Sequence, residues 1–160
     1  MKVLVTGANG YLGRGIVRCL INLGADVIAT DFIGTNIDTR AEIITCDLFR
    51  LSNPYEVLGS PDILLHLAWR DGFVHNSDSH IDDLPKHYHF INKMIDGGVK
   101  RVCIMGSMHE IGFYEGAIKE ETPCNPMSMY GIAKNTLRQM IQMRTEQCGV
   151  IFQWLRGFYI

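Results

Sequence analysis

Short, β-branched apolar runs alternate along this chain with longer stretches of helical periodicity, and that rhythm leaves few folds open. Residues Lys2–Thr6, 26–30, Glu42–Thr45, 62–67, 101–105 and 150–155 read as strands. Several are apolar at nearly every position, as strands of a parallel sheet are when both faces are covered. Residues 12–23, 81–96 and Met129–Cys148 read as helices, with Pro85 tolerable only in the first turn of its helix. A βαβ succession of this kind predicts an α/β fold, a doubly wound parallel sheet with helices on both faces. The 160 residues suffice for one such domain and not for two. The loops 69–80 and 107–127 exceed what packing requires, which makes them candidate walls of an active site. Residues 150–160 read as a strand still in progress, so the chain is expected to be part of a longer protein.

Composition narrows the function class. Hydrophobic residues make up 47% of the chain and charged residues 20%, with a formal charge of −2. Nothing in that balance suggests a nucleic-acid or membrane surface. No apolar run approaches the roughly 20 residues that cross a bilayer. Met1 and Lys2 lead straight into Val3-Leu4-Val5, a strand rather than a signal peptide. The five cysteines lack CxxC or Cys/His metal spacing, and Cys19, Cys46 and Cys103 lie in apolar segments, where a thiol acts as a small core residue. This pattern fits a reduced, cytoplasmic protein. His75, His80, His87 and His89 form no ligand set with nearby Cys or Asp and read as loop and helix surface, so no metal is expected.

Between the first strand and the first helix stands Thr6-Gly7-Ala8-Asn9-Gly10-Tyr11-Leu12-Gly13. A dinucleotide's pyrophosphate needs backbone N–H groups aimed at it from a helix N-terminus, with no side chain in the way. Gly7 permits the sharp turn, Gly10 the approach of the phosphates, and Gly13 the close packing of helix on sheet. Asp31 ends the second strand, where a carboxylate accepts hydrogen bonds from the adenosine ribose and repels a 2′-phosphate, favouring NAD. Arg14 is placed to meet a 2′-phosphate, so NADP stays open. Asp47 and Leu48 follow the third strand, where one suits the adenine amine and the other the ring face. Leu67 and Ala68 end the fourth strand, and a small Ala68 lets a cofactor lie against backbone.

Tyr130 and Lys134 stand four apart on a predicted helix and so share a face. An ammonium there is expected to lower the phenol's pKa from about 10 toward neutrality. Such a tyrosine can take the proton from an alcohol as hydride leaves its carbon.

Taken together, the TGANGYLG turn, Asp31, Cys46-Asp47-Leu48, His66-Leu67-Ala68, residues 98–102 and the stretch ETPCNPMSMYGIAK resemble the extended short-chain dehydrogenase/reductase superfamily. The closer resemblance is to its NAD-dependent epimerase/dehydratase family, which acts on nucleotide sugars. Pro123, Pro126, Ser128, Tyr130, Gly131 and Lys134 all fall in the family's register, and Leu155-Arg156-Gly157-Phe158 resembles its next cofactor-side segment. The resemblance implies a Rossmann fold, NAD as cofactor and hydride transfer at a sugar carbon. Gly7, Gly10, Tyr11, Leu12, Gly13, Asp31, Asp47, Leu48, Leu67 and Ala68 would bind the cofactor. Tyr130 would be the acid/base, and Lys134 would bind the nicotinamide ribose. It further implies a nucleotide-sugar substrate, a C-terminal substrate domain beyond this chain, and a homodimer through Met129–Cys148 and the helix from Ile81 to Asp96. Without that domain, little activity is expected of these 160 residues.

One departure bears on the chemistry. The family's third catalytic residue is a Ser or Thr after the fifth strand, and here its position falls on Met108, with Ser107 beside it. A one-residue shift of the loop brings Ser107 into place, and His109 is another donor. Glu110 resembles an acid of the dehydratase branch but reads more simply as an exposed loop carboxylate. A non-catalytic dinucleotide-binding protein, a sensor or assembly partner, is the competing reading.

Overall fold

The structure is a computed structural model that describes residues 1–158. Its frame is a six-stranded, wholly parallel sheet of β1 (Lys2–Thr6), β2 (Asp26–Asp31), β3 (Glu42–Thr45), β4 (Ile63–His66), β5 (Arg101–Ser107) and β6 (Ile151–Gly157). The spatial order is β3-β2-β1-β4-β5-β6. The chain winds outward from β1 to β3, then returns to place β4 on the other side of β1. A crevice opens where the winding reverses, outside the carboxyl ends of β1 and β4, and this is where ligands bind such sheets. Register puts Thr6 opposite both Thr30 and His66, so the segments after all three strands meet at one edge.

Among the described residues four α-helices clothe the sheet: α1 (Tyr11–Asn22), the single turn α2 (Pro54–Val57), α3 (Ser79–Gly97) and α4 (Met129–Cys148). On one face Leu4, Ile28, Leu64, Val102 and Ile104 pack against Phe90, Ile91 and Met94 of α3 and Leu137 and Ile141 of α4. On the other, Val3, Val5, Val27 and Ala29 pack against Val17 of α1. Burial of each such side chain contributes about 1.5–3 kcal/mol. Alternate residues of every central strand thus serve different helices, which explains why those strands read as unbroken apolar runs.

Three local expectations are corrected. Helix α3 starts at Ser79, so Pro85 is its seventh residue and lies past the first turn. Pro85 and Ile81 are both exposed, so the proline that removes a donor from the Ile81 carbonyl lies on the solvent side of α3. Cys19 is exposed on the outer side of α1, whereas Cys103 is buried and Cys46 half-buried. β6 runs on to Gly157, and what was expected of residues 159 and 160 lies outside the described residues. No helix among the described residues is long and apolar enough to cross a membrane.

Candidate active site

The turn after β1 is shaped by what its glycines lack. Gly7 has φ +67°, and a Cβ on it would lie 2.7 Å from the amide nitrogen of Ala68. A Cβ on Gly13 would lie 2.2 Å from the Gly7 carbonyl oxygen, so α1 can approach β1 only with glycine there. Gly10 donates to the Gly7 carbonyl at 3.1 Å and caps α1 in an extended conformation without a side-chain bond. The first N–H groups of α1 therefore remain free for an anion. Asp31 Oδ2 accepts from the Asn9 N–H at 2.9 Å and Oδ1 from that of Phe32 at 2.8 Å. Each oxygen keeps capacity for another donor, as a ribose diol supplies.

A cleft of about 450 Å³ opens over this turn. Gly7, Gly10, Asp31, Asp47, Leu48, Leu67 and Ala68 line it, together with Trp69, Arg70, Asp83, Lys86 and His87 from the β4–α3 segment and α3. Asp47 is fixed by the N–H of Phe49, and Leu48 is rooted in the core. Tyr11, 76% exposed, and Leu12 lie off the cleft, and Gly13 is buried behind it. The cleft fits a dinucleotide on its own chemistry: a side-chain-free cradle of unspent N–H groups, a carboxylate at the end of β2 and apolar walls.

Beside the cleft stands a second cluster. Ser128 caps α4 by accepting from the Gly131 N–H at 3.1 Å, which starts the helix just before Tyr130. The Tyr130 N–H donates to the His75 carbonyl at 2.8 Å, tying α4 to the β4–α3 loop. One turn on, the buried Lys134 donates from Nζ to the Met105 carbonyl at 2.7 Å. Ser107 ends β5, and its hydroxyl, which accepts from the His109 N–H at 3.2 Å, acts to lower the pKa of the Tyr130 phenol. Trp69 joins the two regions. It lines the cleft, and its indole lies 4.0 Å from Lys134 Nζ and 6.1 Å from the Tyr130 ring.

A family model for the NAD-dependent epimerase/dehydratase family matches residues 3–160. The chain belongs to that family. It is 42% identical over 166 residues to dTDP-6-deoxy-L-talose 4-dehydrogenase (NAD(+)) of Aggregatibacter actinomycetemcomitans, covering all of this chain and 62% of that protein. It is 25% identical to UDP-glucose 4-epimerase of Lactobacillus helveticus, covering all of this chain and 52% of that one. Among solved structures, UDP-glucose 4-epimerase of Thermotoga maritima with UDP-glucose superposes at a TM-score of 0.85 and 23% identity, over 98% of this chain and 55% of the other. UDP-glucuronic acid 4-epimerase of Bacillus cereus, solved with UDP-glucuronic acid and NAD, superposes at 0.82 and 20% identity, over 98% and 56%. These two likenesses show the Rossmann fold. The chain spans 62% or less of the length of these relatives.

Seen as a member of the NAD-dependent epimerase/dehydratase family, the cluster corrects three sequence expectations. Tyr130 is not lowered toward neutrality. Burial raises its pKa, Ser107 opposes that by hydrogen bonding, and the Glu110 carboxylate raises it further. Lys134 stands 5.9 Å from the phenol ring centroid, turned toward the Met105 carbonyl and the indole, and burial pushes its own pKa down to about 7.

Glu110 is not an exposed loop carboxylate; it is fully buried. Its Oε1 accepts from the Ser107 N–H at 2.6 Å, and Oε2 accepts from Trp154 Nε1 at 2.8 Å and Arg156 Nε at 3.0 Å. Together with the Ser107 hydroxyl, which accepts from the His109 N–H, it closes a reciprocal cap on the turn Met108–Glu110. That turn leaves Met108 half-buried and keeps the Ser107 hydroxyl beside Tyr130.

His80 and His87 are buried, not surface residues. His80 Nδ1 accepts from Trp69 Nε1 at 3.1 Å, so its Nε2 carries the proton donated to the Val74 carbonyl at 2.9 Å. His87 stacks on the indole at 4.4 Å and 10°, and bonds His66 at 2.8 Å, which in turn bonds Thr6 Oγ1 at 2.8 Å. Desolvation holds both His66 and His87 well below the usual histidine pKa, in the neutral form. Their positions were readable: 80, 83, 87, 90, 91 and 94 recur at helical spacing, the buried stripe of α3. Among the described residues no group of three or more His, Cys, Asp or Glu could hold a metal ion.

Proposed function

We propose that the protein is an NAD-dependent oxidoreductase of nucleotide sugars, of the reaction kind named for its dTDP-6-deoxy-L-talose 4-dehydrogenase relative. The carrying observation is the adjacency of the glycine-lined cleft to the Tyr130, Lys134 and Ser107 cluster, with Trp69 touching both. Gly7, Gly10 and the free N–H groups of α1 would hold the cofactor's diphosphate, and Asp31 its adenosine ribose. NAD, when bound, supplies the acceptor or donor of hydride. Tyr130 holds or takes the proton at the sugar oxygen. Ser107 hydrogen-bonds that oxygen and favours the phenolate. Lys134, anchored on the Met105 carbonyl, supplies positive charge to this end of the site. Asp31 supports NAD over NADP, because a second negative charge at the 2′ position would stand against its carboxylate. A homodimer through α3 and α4 is the assembly expected of this reading, and the exposed Ile132 and Met143 of α4 are apolar side chains that it would help bury.

The test is NADH formation by the native protein from NAD⁺ with dTDP-6-deoxy-L-talose, with UDP-glucose as the comparison sugar. Turnover with a nucleotide sugar is expected. Tight NAD⁺ binding without NADH from any nucleotide sugar would instead favour a non-catalytic dinucleotide-binding protein.

A further inference from the structure

The cleft holds more charge than a cofactor cradle of backbone N–H groups requires. Among its described lining residues the cationic side chains are Arg70 and Lys86, and the carboxylates are Asp31, Asp47 and Asp83. Asp31 is committed to the backbone of the glycine turn and its own strand end, and Asp47 to the turn after β3. Asp83 is different: it is buried, and both its oxygens face the cations. Oδ2 accepts from Arg70 Nε at 2.5 Å, and Oδ1 accepts from Arg70 NH2 at 3.3 Å and Lys86 Nζ at 2.7 Å.

The exposures run in the opposite sense. The Asp83 side chain is 8% exposed, while Arg70 and Lys86 are 58% and 49% exposed. A buried carboxylate on a long helix thus grips one edge of a guanidinium whose remaining edge is open. A guanidinium has five N–H donors in a fixed fork, so donors beyond those given to Asp83 remain for an anion. Lys86 likewise keeps donors in excess of its single bond.

We infer that Arg70 and Lys86 are the charge partners of a ligand diphosphate in this cleft, with Asp83 as the anchor that aims them. The inference rests on the reading that the cleft takes NAD, and deepens it by naming side chains for the phosphates. The glycine turn and the α1 N-terminus provide partial positive charge and no full cation. A diphosphate carries two negative charges, and Asp31 and Asp47 add two more to the cleft. Arg70 and Lys86 are the two full cations set against that charge, one of them offset by Asp83, and the geometry costs little to assemble because Asp83 already holds the guanidinium plane.

The experiment is a set of calorimetric titrations of the native protein with NAD⁺, ADP-ribose and adenosine, at low and high salt. For Arg70→Gln, NAD⁺ and ADP-ribose should each weaken about tenfold while adenosine is unchanged. For Lys86→Gln the same pattern should appear with a smaller loss, and in both variants the salt dependence of NAD⁺ binding should flatten. Unaltered adenosine binding also reports that the cleft is folded. Wild-type protein that binds neither NAD⁺ nor ADP-ribose would overturn the reading of the cleft and this inference with it. Normal wild-type binding with both variants binding all three ligands alike would overturn the inference alone. So would an equal loss for adenosine, which would make the cluster merely structural.

Discussion

Lys134 Nζ lies 4.0 Å from the centroid of the Trp69 indole, and that indole is held from two further sides by α3. His80 accepts its N–H and His87 stacks on it. The ammonium form of Lys134, disfavoured by burial and pushed down to about 7, is supported by the aromatic face, the Met105 carbonyl and the Glu110 charge. Removing the face should remove about 0.5–2 kcal/mol of that support. Trp69→Leu should therefore titrate Lys134 at lower pH than Trp69→Phe, which keeps an aromatic ring. Side-chain NMR of labelled lysine checks this. The groups facing Lys134 that also titrate are Tyr130, Glu110, His66 and His87, so the comparison is between two variants sharing all four. Equal midpoints would remove the indole from any role in Lys134's charge.

Stability should fall as pH drops from 7 to 5. Unfolded, His66 and His87 protonate near 6.5. Folded, both resist, and His87 holds out to about 3. Between those values the unfolded chain binds more protons, so each histidine lowers unfolding free energy by up to about 1.4 kcal/mol per pH unit below 6.5. Denaturant unfolding at several pH values should show this slope. His87→Gln should reduce it by about half, whatever its effect on stability at pH 7.

Two glycines of one turn should respond differently to alanine. A methyl at position 13 would overlap the Gly7 carbonyl and the Ala8 backbone, which cannot yield without moving α1. Gly13→Ala should lower stability by at least about 1–3 kcal/mol in thermal unfolding. A methyl at position 10 meets only the Gly7 carbonyl, at 3.2 Å, on a residue that lines the cleft. Gly10→Ala should unfold within about 1 kcal/mol of wild type while losing most of its NAD⁺ affinity.

Asp31→Ala should weaken NAD⁺ binding more than NADP⁺ binding. The carboxylate sits on the cleft, where it would repel a 2′-phosphate as well as accept from a diol. Equal weakening of both cofactors in parallel titrations would confine Asp31 to bracing the Asn9 and Phe32 amides.

Periodicity carried most of this fold. β1 and β3 begin and end as the apolar runs do, and α4 spans its whole predicted length from Met129 to Cys148. Strand ends were harder. β5 runs two residues past Met105 because Gly106 and Ser107 pair with Arg156 and Gly157, a long-range contact that local pattern does not contain. The cleft was legible where backbone geometry dictates residue type, as at Gly7 and Gly10, or where a strand ends, as at Asp31 and Ala68. It was illegible where the side chains that finish it come from another element: Arg70 and Lys86 acquire meaning only through Asp83. Glu110 escaped for the same reason, since its partners Trp154 and Arg156 lie over forty residues away. The expected lowering of the Tyr130 pKa failed because spacing gives proximity but not burial, and burial dominates here.

The proposed chemistry requires Tyr130 to move the proton beside a cofactor held elsewhere. Its most direct test is a single-turnover measurement on Tyr130→Phe in the native protein, following NADH formation from bound NAD⁺ and a nucleotide sugar. The rate should drop by about 10²–10⁴ while NAD⁺ affinity stays at the wild-type value. NADH appearing at the wild-type rate, with the phenol oxygen gone, would contradict it.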